Sequence, residues 1–128
     1  MLSIFDLKEM SESILLSRIM KTLKSYPILR EIYDDAFLED LIRDKFHYDN
    51  YLLWILASDA PLAIQILKKI TSALTILGEE GMNKFRDKLR QREEPYFHSY
   101  LTELEVAAYF KSRGFDVELE PPAIETGK

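Results

Sequence analysis

The sequence contains no cysteine and only four glycines among its 128 residues, and these shortages limit what the protein can be. Without cysteine, disulfides, thiolate metal sites and cysteine nucleophiles are excluded. The longest uninterrupted apolar run, "YLLWILA", is far shorter than the roughly 20 residues that span a bilayer. The first residues, "MLSIFDLKEM", lack the basic stretch and apolar core of a secretory signal. We therefore expect a cytoplasmic protein with no membrane attachment.

The composition is 47% hydrophobic and 30% charged, which favours a compact and mostly helical domain. The net charge of -5 argues against a protein that coats nucleic acid, because phosphate binding requires a positive surface. The charges are unevenly distributed, however. Residues 31–50 contain seven acids and two bases, whereas residues 82–92 contain five bases and one acid. We refer to these segments as the acidic stretch and the basic stretch.

Apolar residues recur at helical spacing through most of the chain and predict a mainly α fold, an orthogonal bundle of about six helices. Tyr48, Tyr51 and Trp54 share this spacing and are expected in the core. Gly78 and Gly114 are natural helix ends. The predicted helices cover 6–26, 28–33 and 35–46, two segments within 48–78 of which the second is capped by Ser58 or Asp59, then 81–92 and 95–113.

After Gly114 the spacing of apolar residues changes from the period of a helix to the two-residue period of a strand. Phe115, Val117 and Leu119 alternate with acidic residues, a pattern that predicts a single half-buried strand. The double proline that follows at 121–122 ends the strand. A lone strand must pair with something, either a sheet formed by further chain or a second copy.

The helix over 95–113 contains two glutamates that differ in their surroundings. On a helical projection at about 100° per residue, Glu103 falls within the apolar arc, between Phe110 and Tyr96, whereas Glu105 lies on the opposite, polar side. A carboxylate directed at an apolar layer needs a cation, a hydrogen bond or a metal ion, because burying it alone is costly. Alternatively, Glu103 lies at the rim of the arc and reaches water or a nearby lysine.

The segment "ELEVAAYFKSRGFDVELEPP" resembles the entry to the PD-(D/E)XK nuclease core of Holliday-junction resolvases and many restriction enzymes. In that family a helix carries a glutamate, glycine ends the helix, and the first core strand leads to a Pro-Asp and then a Glu-x-Lys. Glu103 lies eleven residues before Gly114, a spacing similar to that of the resolvases. The resemblance implies that Glu103 contributes to a catalytic Mg²⁺ shell. It also implies a helical domain over 1–94 and the start of a nuclease-like core over 95–128.

The Pro-Asp and Glu-x-Lys that would complete such a core do not occur in this sequence. We therefore expect an incomplete core that binds no cofactor and is inactive by itself, with Mg²⁺ binding only in a longer parent protein. The basic stretch is the candidate contact for DNA or RNA. Its cations could instead flank a buried stripe or pair with the acidic stretch, within one molecule or between two; they are Lys84, Arg86, Lys88, Arg90 and Arg92.

Two functional hypotheses follow. The first is the helical N-terminal part of a metal-dependent PD-(D/E)XK-like nuclease that acts on DNA or RNA. The second is a non-catalytic helical interaction or oligomerisation module, whose strand pairs across a homodimer.

Overall fold

The computed structural model describes residues 3–115, which form six α-helices and two short 3₁₀ helices. The prediction of a mainly α fold with about six helices is confirmed. The predicted strand begins at Phe115, which instead belongs to the turn that ends the last helix; the remainder of the strand lies outside the described residues and stays a prediction. The α-helices are α1 (Ile4–Glu9), α2 (Glu12–Leu23), α3 (Asp35–Arg43), α4 (Tyr51–Ala57), α5 (Pro61–Phe85) and α6 (Glu94–Ser112), and the 3₁₀ helices are Pro27–Glu31 and Lys88–Arg90.

The single N-terminal helix predicted over 6–26 is wrong, because the chain breaks there into α1 and α2. Met10 has extended backbone angles, and the side chain of Ser11 accepts a hydrogen bond from the Ile14 amide at 3.2 Å. The start of α1 also differs, since Ser3 and Asp6 form the capping box. Each serine satisfies an amide that a helix start leaves unpaired, so two capped helices replace one continuous helix.

One hydrophobic core extends from α1 to α6 and includes fully buried Leu15, Leu52, Phe85 and Phe97. The domain boundary predicted near residue 94 stays a prediction. The axes of α4 and α5 meet at 93°. The core position predicted for Tyr48 is wrong, because its side chain is 82% exposed. The helical spacing of Tyr48, Tyr51 and Trp54 assumed that all three lie on one helix. Tyr48 instead precedes α4, whose N-cap is Asn50, so it does not share a helix with Tyr51 and Trp54.

The break predicted at Gly78 occurs, with φ +72° and ψ −153° inside α5, a conformation that favours glycine. A separate helical segment follows this break, as predicted over 81–92, but it is shorter than predicted and is counted within α5. Helical backbone continues only to Phe85, and a 3₁₀ turn follows. After Gly78 the chain runs back along α6, and Gly81 packs so closely on Leu77 that a Cβ there would overlap the leucine Cβ.

The predicted cap of α5 is also wrong: Ala60 is the N-cap, and it makes no side-chain cap hydrogen bond. The Ser58 hydroxyl instead accepts a hydrogen bond from the Ala60 amide at 3.0 Å, within the turn between α4 and α5. Pro61 opens α5, where its missing N–H costs nothing.

Within residues 3–115, no single helix has the length and apolar character needed to cross a membrane. The bent pair of α4 and α5 meets those two criteria only when the helices are taken together.

Candidate functional site

Helix α6 buries one narrow face against the core and leaves the rest of its surface outside. Its buried residues are Phe97, Leu101, Leu104 and Ala108. The sequence placed Tyr96 and Phe110 in the same apolar arc, and this is wrong because both are exposed. The true buried arc is narrower and turned away from these two residues, so Glu103 lies beside it rather than within it.

Glu103 is held by two lysines from the chain that returns after Gly78. Its Oε1 accepts a hydrogen bond from Lys88 Nζ at 2.9 Å and lies 3.5 Å from Lys84 Nζ. The Glu103 side chain is 41% exposed, whereas that of Lys84 is only 13% exposed. The Lys88 ammonium also lies 5.4 Å from the centre of the Tyr100 ring. The carboxylate therefore already has cationic partners.

The described residues contain no group of three or more histidine, aspartate or glutamate side chains arranged to hold a metal ion. A Mg²⁺ ion at Glu103 would have to compete with Lys84 and Lys88, and would need further ligands from outside residues 3–115. The role of Glu103 in a nuclease metal shell stays a prediction.

Two arginines of the basic stretch join it to the acidic stretch. Arg92 donates from Nη2 to Asp40 at 2.6 Å and from Nη1 to Asp44 at 2.8 Å. Partial burial acts to lower the pKa of Arg92, but the hydrogen bonds to Asp44 and Asp40 outweigh it and raise the pKa. Arg90 donates from Nε to the Ile32 carbonyl at 2.7 Å and lies 3.4 Å from Asp34.

A tyrosine hydroxyl and a backbone amide form further hydrogen bonds between the same two parts of the chain. The buried Tyr33 hydroxyl donates to the Leu89 carbonyl at 2.7 Å, and burial raises the pKa of Tyr33. The Leu52 amide donates to the Arg92 carbonyl at 3.2 Å. We call this joint, between residues 32–52 and 88–94, the acid–base seam. Of the alternatives left open by the sequence, pairing of the two stretches within one molecule is confirmed.

Arg86 differs from the other cations of the basic stretch. Among residues 3–115 its side chain forms no ion pair or hydrogen bond, and its Nε atom is buried. Lys84, Lys88, Arg90 and Arg92 each have an acidic partner in the same chain. Contact of these residues with DNA or RNA stays a prediction, and phosphates would have to displace carboxylates from four of the five.

The surface of α6 opposite its buried face is apolar. Four large side chains there are between 45% and 60% exposed: Val106, Tyr109, Phe110 and Phe115. We call them the outer α6 surface. The three aromatic rings are in contact: the Tyr109 and Phe110 centroids are 5.6 Å apart, and the Phe110 and Phe115 centroids are 5.8 Å apart. The Arg113 guanidinium lies 5.1 Å from the Tyr109 ring centre.

A glycine turn fixes the end of this surface. The Phe115 amide donates to the Phe110 carbonyl and the Gly114 amide to the Lys111 carbonyl, both at 3.1 Å. Gly114 has φ +85°, so these bonds form the Schellman ending that glycine permits. The turn places Phe115 on Phe110, and the aromatic cluster is therefore formed within the single chain.

A groove of about 370 Å³ runs beside the outer α6 surface, between α5 and α6. Small and apolar side chains form part of it, including Ala73, Ile76 and Ala108, and Tyr109 forms its border with the outer surface. Lys69 and Glu105, 3.7 Å apart, stand across the groove. Helical projection did not identify the outer α6 surface or this groove, because apolar residues occupy most of the circumference of α6. The excess of apolar residues beyond one buried stripe was the available signal.

No protein-family model matches this sequence, and no curated protein and no solved structure is detectably similar to it.

Proposed function

We propose that this chain is a non-catalytic helical interaction module that self-associates through the outer α6 surface. The observation that carries this proposal is a continuous, exposed apolar cluster on the opposite side of a helix from the core. Contiguous apolar patches of this kind mark interaction surfaces, whereas single exposed apolar residues need no explanation. Aromatic side chains are also the residues that most often dominate binding energy.

The distribution of charge along α6 favours a second copy in antiparallel orientation as the partner. The helix begins at Glu93 and Glu94 and ends with Lys111 and Arg113. Glu93 accepts a hydrogen bond from the Tyr48 hydroxyl and Glu94 lies 3.9 Å from His98, whereas the other two acids of the helix, Glu103 and Glu105, are paired with lysines. An antiparallel pair of α6 helices about a two-fold axis brings each basic end towards the acidic end of the partner. In the same arrangement the two helix dipoles are antiparallel, and their interaction is favourable.

The shape of the surface agrees with this orientation. The 19-residue helix is about 28 Å long, enough for several turns of contact. The aromatic cluster lies near its C-terminal end, whereas Ser99 and Thr102 occupy the outside of its first half. Two-fold antiparallel packing sets the large side chains of one copy against the small ones of the other. The neighbouring groove offers further space for an aromatic ring.

A matched pair of substitutions tests the proposal. Val106 and Ile14 are both β-branched, helical and half exposed, at 48% and 52%, but only Val106 belongs to the outer α6 surface. Sedimentation velocity over a range of concentrations should show a monomer–dimer equilibrium for the full chain. Val106→Asp should abolish it with unchanged helical circular dichroism, whereas Ile14→Asp should dimerise like the original chain. A chain that stays monomeric throughout, or equal loss in both variants, would refute the proposal.

Charge reversal tests the orientation separately. Arg113→Glu should weaken the dimer, because it places two acidic ends together, and adding Glu94→Arg should restore it. No restoration in the double variant would rule out the antiparallel pair while leaving the surface itself in place.

The nuclease-like hypothesis is a second proposal, and the position of Glu103 supports it. This carboxylate, selected by the resemblance, lies part-buried in the middle of α6, eleven residues before Gly114. We expect it to enter a Mg²⁺ shell only with ligands from a complete core. The test is calorimetric Mg²⁺ titration of a parent protein that contains such a core, with Glu103→Gln beside the control Glu105→Gln. Equal Mg²⁺ affinity in the two variants would exclude Glu103 from the shell.

A further inference from the structure

A cavity of about 260 Å³ opens between α2, the turn joining α4 to α5, and the first turns of α5. It lies on a different face from the outer α6 surface. Its floor is apolar and is formed by Ala57, Ile64 and Leu67. Its walls carry cations and hydroxyl groups from the second half of α2 and the chain after it, namely Arg18, Lys21, Thr22, Ser25 and Tyr26.

Arg18 is held in a fixed position at this cavity. Its Nε donates to the Ala57 carbonyl at 2.9 Å, at the C-terminal end of α4. Its Nη2 lies 3.7 Å from Asp59, whose side chain is largely exposed. The contact with Ala57 uses one of the five N–H groups of the guanidinium, and the others are directed away from the carbonyl. A bound oxyanion would therefore meet a pre-oriented donor.

The remaining polar groups of the cavity are available to a ligand. Within residues 3–115, the side chains of Lys21, Thr22, Ser25 and Tyr26 form no hydrogen bond or ion pair with the protein. Lys21 supplies a second cation, and the three hydroxyls can donate to an oxygen acceptor. Ser58, Asp59 and Ile64, on either side of the uncapped start of α5, line the same cavity, and the helix start adds its partial positive charge.

We propose that this cavity binds a small oxyanion, a phosphate or carboxylate carried on a short apolar group. The two cations and the hydroxyls would hold the anionic end, and the apolar floor would hold the rest. The cavity is smaller than ordinary small-molecule pockets, whose volumes begin at about 300 Å³, so it fits a small ligand. Asp59 opposes this charge, so the cavity keeps a net charge of one positive unit from Arg18, Lys21 and Asp59.

The arrangement predicts changes of affinity with opposite signs. Lys21→Gln removes an exposed cation with no structural contact and should weaken binding by roughly fivefold, the upper range for an exposed ion pair. Asp59→Asn removes the opposing charge and should strengthen binding by a similar factor. Tyr26→Phe removes only a hydroxyl and should weaken binding. Arg43→Gln, which removes an arginine paired with Glu39 outside this cavity, should change nothing.

The experiment is an amide NMR titration of the full chain with inorganic phosphate and, separately, with butyrate. Saturable shifts should centre on Arg18, Thr22, Tyr26 and Ser58, and the affinities should follow the order given above. Tighter binding of phosphate identifies a phosphorylated ligand, and tighter binding of butyrate a carboxylate. Non-saturable shifts, or equal affinities for Lys21→Gln, Asp59→Asn and Arg43→Gln, would overturn the proposal. The dimer variant Val106→Asp should bind like the original chain, so the two proposals fail independently.

Discussion

The acid–base seam and the outer α6 surface are the two most distinctive regions of the described chain, and they differ in whether the fold covers them. In the seam, Arg90 and Arg92 are paired with carboxylates, and the buried Tyr33 hydroxyl donates a hydrogen bond to the Leu89 carbonyl. On the outer α6 surface, Val106 and three aromatic residues remain without a covering layer among residues 3–115. A dense run of charge therefore marks an internal joint here. Apolar residues in excess of what the core can bury mark the surface that is open to a partner.

The largest expected contrast comes from the same substitution in the two regions. Tyr33→Ala should lower the free energy of unfolding by about 3–5 kcal/mol, because it leaves a cavity under the seam and an unpaired Leu89 carbonyl. Tyr109→Ala should change it by no more than about 0.5 kcal/mol. It should instead weaken self-association by about 2 kcal/mol, as expected for an aromatic anchor.

Urea denaturation at low protein concentration measures the first effect without a contribution from the dimer, and sedimentation measures the second. If Tyr109→Ala destabilised the monomer as strongly as Tyr33→Ala, the outer α6 surface would be part of the core. The distinction between the two regions would then be lost.

The helices could be predicted because apolar spacing and glycine act locally. Gly78 and Gly114 end or break helices because they adopt positive φ, which other residues resist. Serine caps were harder to recognise: Ser11 divides a segment whose apolar spacing is continuous, and a single hydrogen bond decides the outcome. The 3₁₀ turn near Leu89 follows from contacts with Tyr33, which is distant in sequence.

The sites were less predictable, because they depend on which surface of a helix the rest of the fold covers. For α6, apolar residues occupy so much of the circumference that projection could not select the buried sector. Projection therefore left Glu103 either within an apolar layer or at its rim; the side chain lies beside that layer and contacts Lys84 and Lys88. Opposite charge in the acidic and basic stretches predicted their attraction. It could not decide between pairing within one chain and pairing between two.

A smaller contrast is expected from neutralising one arginine in each region. Arg92→Gln should lower the free energy of unfolding by about 1–2 kcal/mol, because Asp40 and Asp44 lose a shared charged donor and then repel each other. Arg113→Gln should change monomer stability by less than about 0.5 kcal/mol, since within the described part of the chain that side chain lies over the Tyr109 ring and forms no ion pair or hydrogen bond.

Urea denaturation in low and high salt measures this contrast. Added salt should reduce the gap between the original chain and Arg92→Gln only in part, because the seam is partly buried. A gap that salt abolishes entirely would show that these ion pairs are ordinary surface pairs and that the seam is held by Tyr33 alone.

The finest test of the seam uses pH. Burial raises the pKa of Tyr33 above its ordinary value of 10.0, while the charge of Arg90 opposes the shift, so the folded chain keeps the phenol protonated. Below pH 10 the hydroxyl contributes its full stability, and Tyr33→Phe should cost about 1 kcal/mol for the lost hydrogen bond. Above pH 10 the tyrosine ionises in the unfolded chain but not in the folded one.

The free energy of unfolding should therefore fall with rising pH by up to about 1.4 kcal/mol per pH unit from this one group, and Tyr33→Phe should lack this component. The stability difference between the two proteins should shrink and then reverse between pH 9 and pH 11, as read from urea midpoints. Tyr109→Phe, which removes an exposed hydroxyl outside the seam, is the control variant. A constant difference for Tyr33→Phe would mean that the phenol ionises equally in both states and that water reaches the seam.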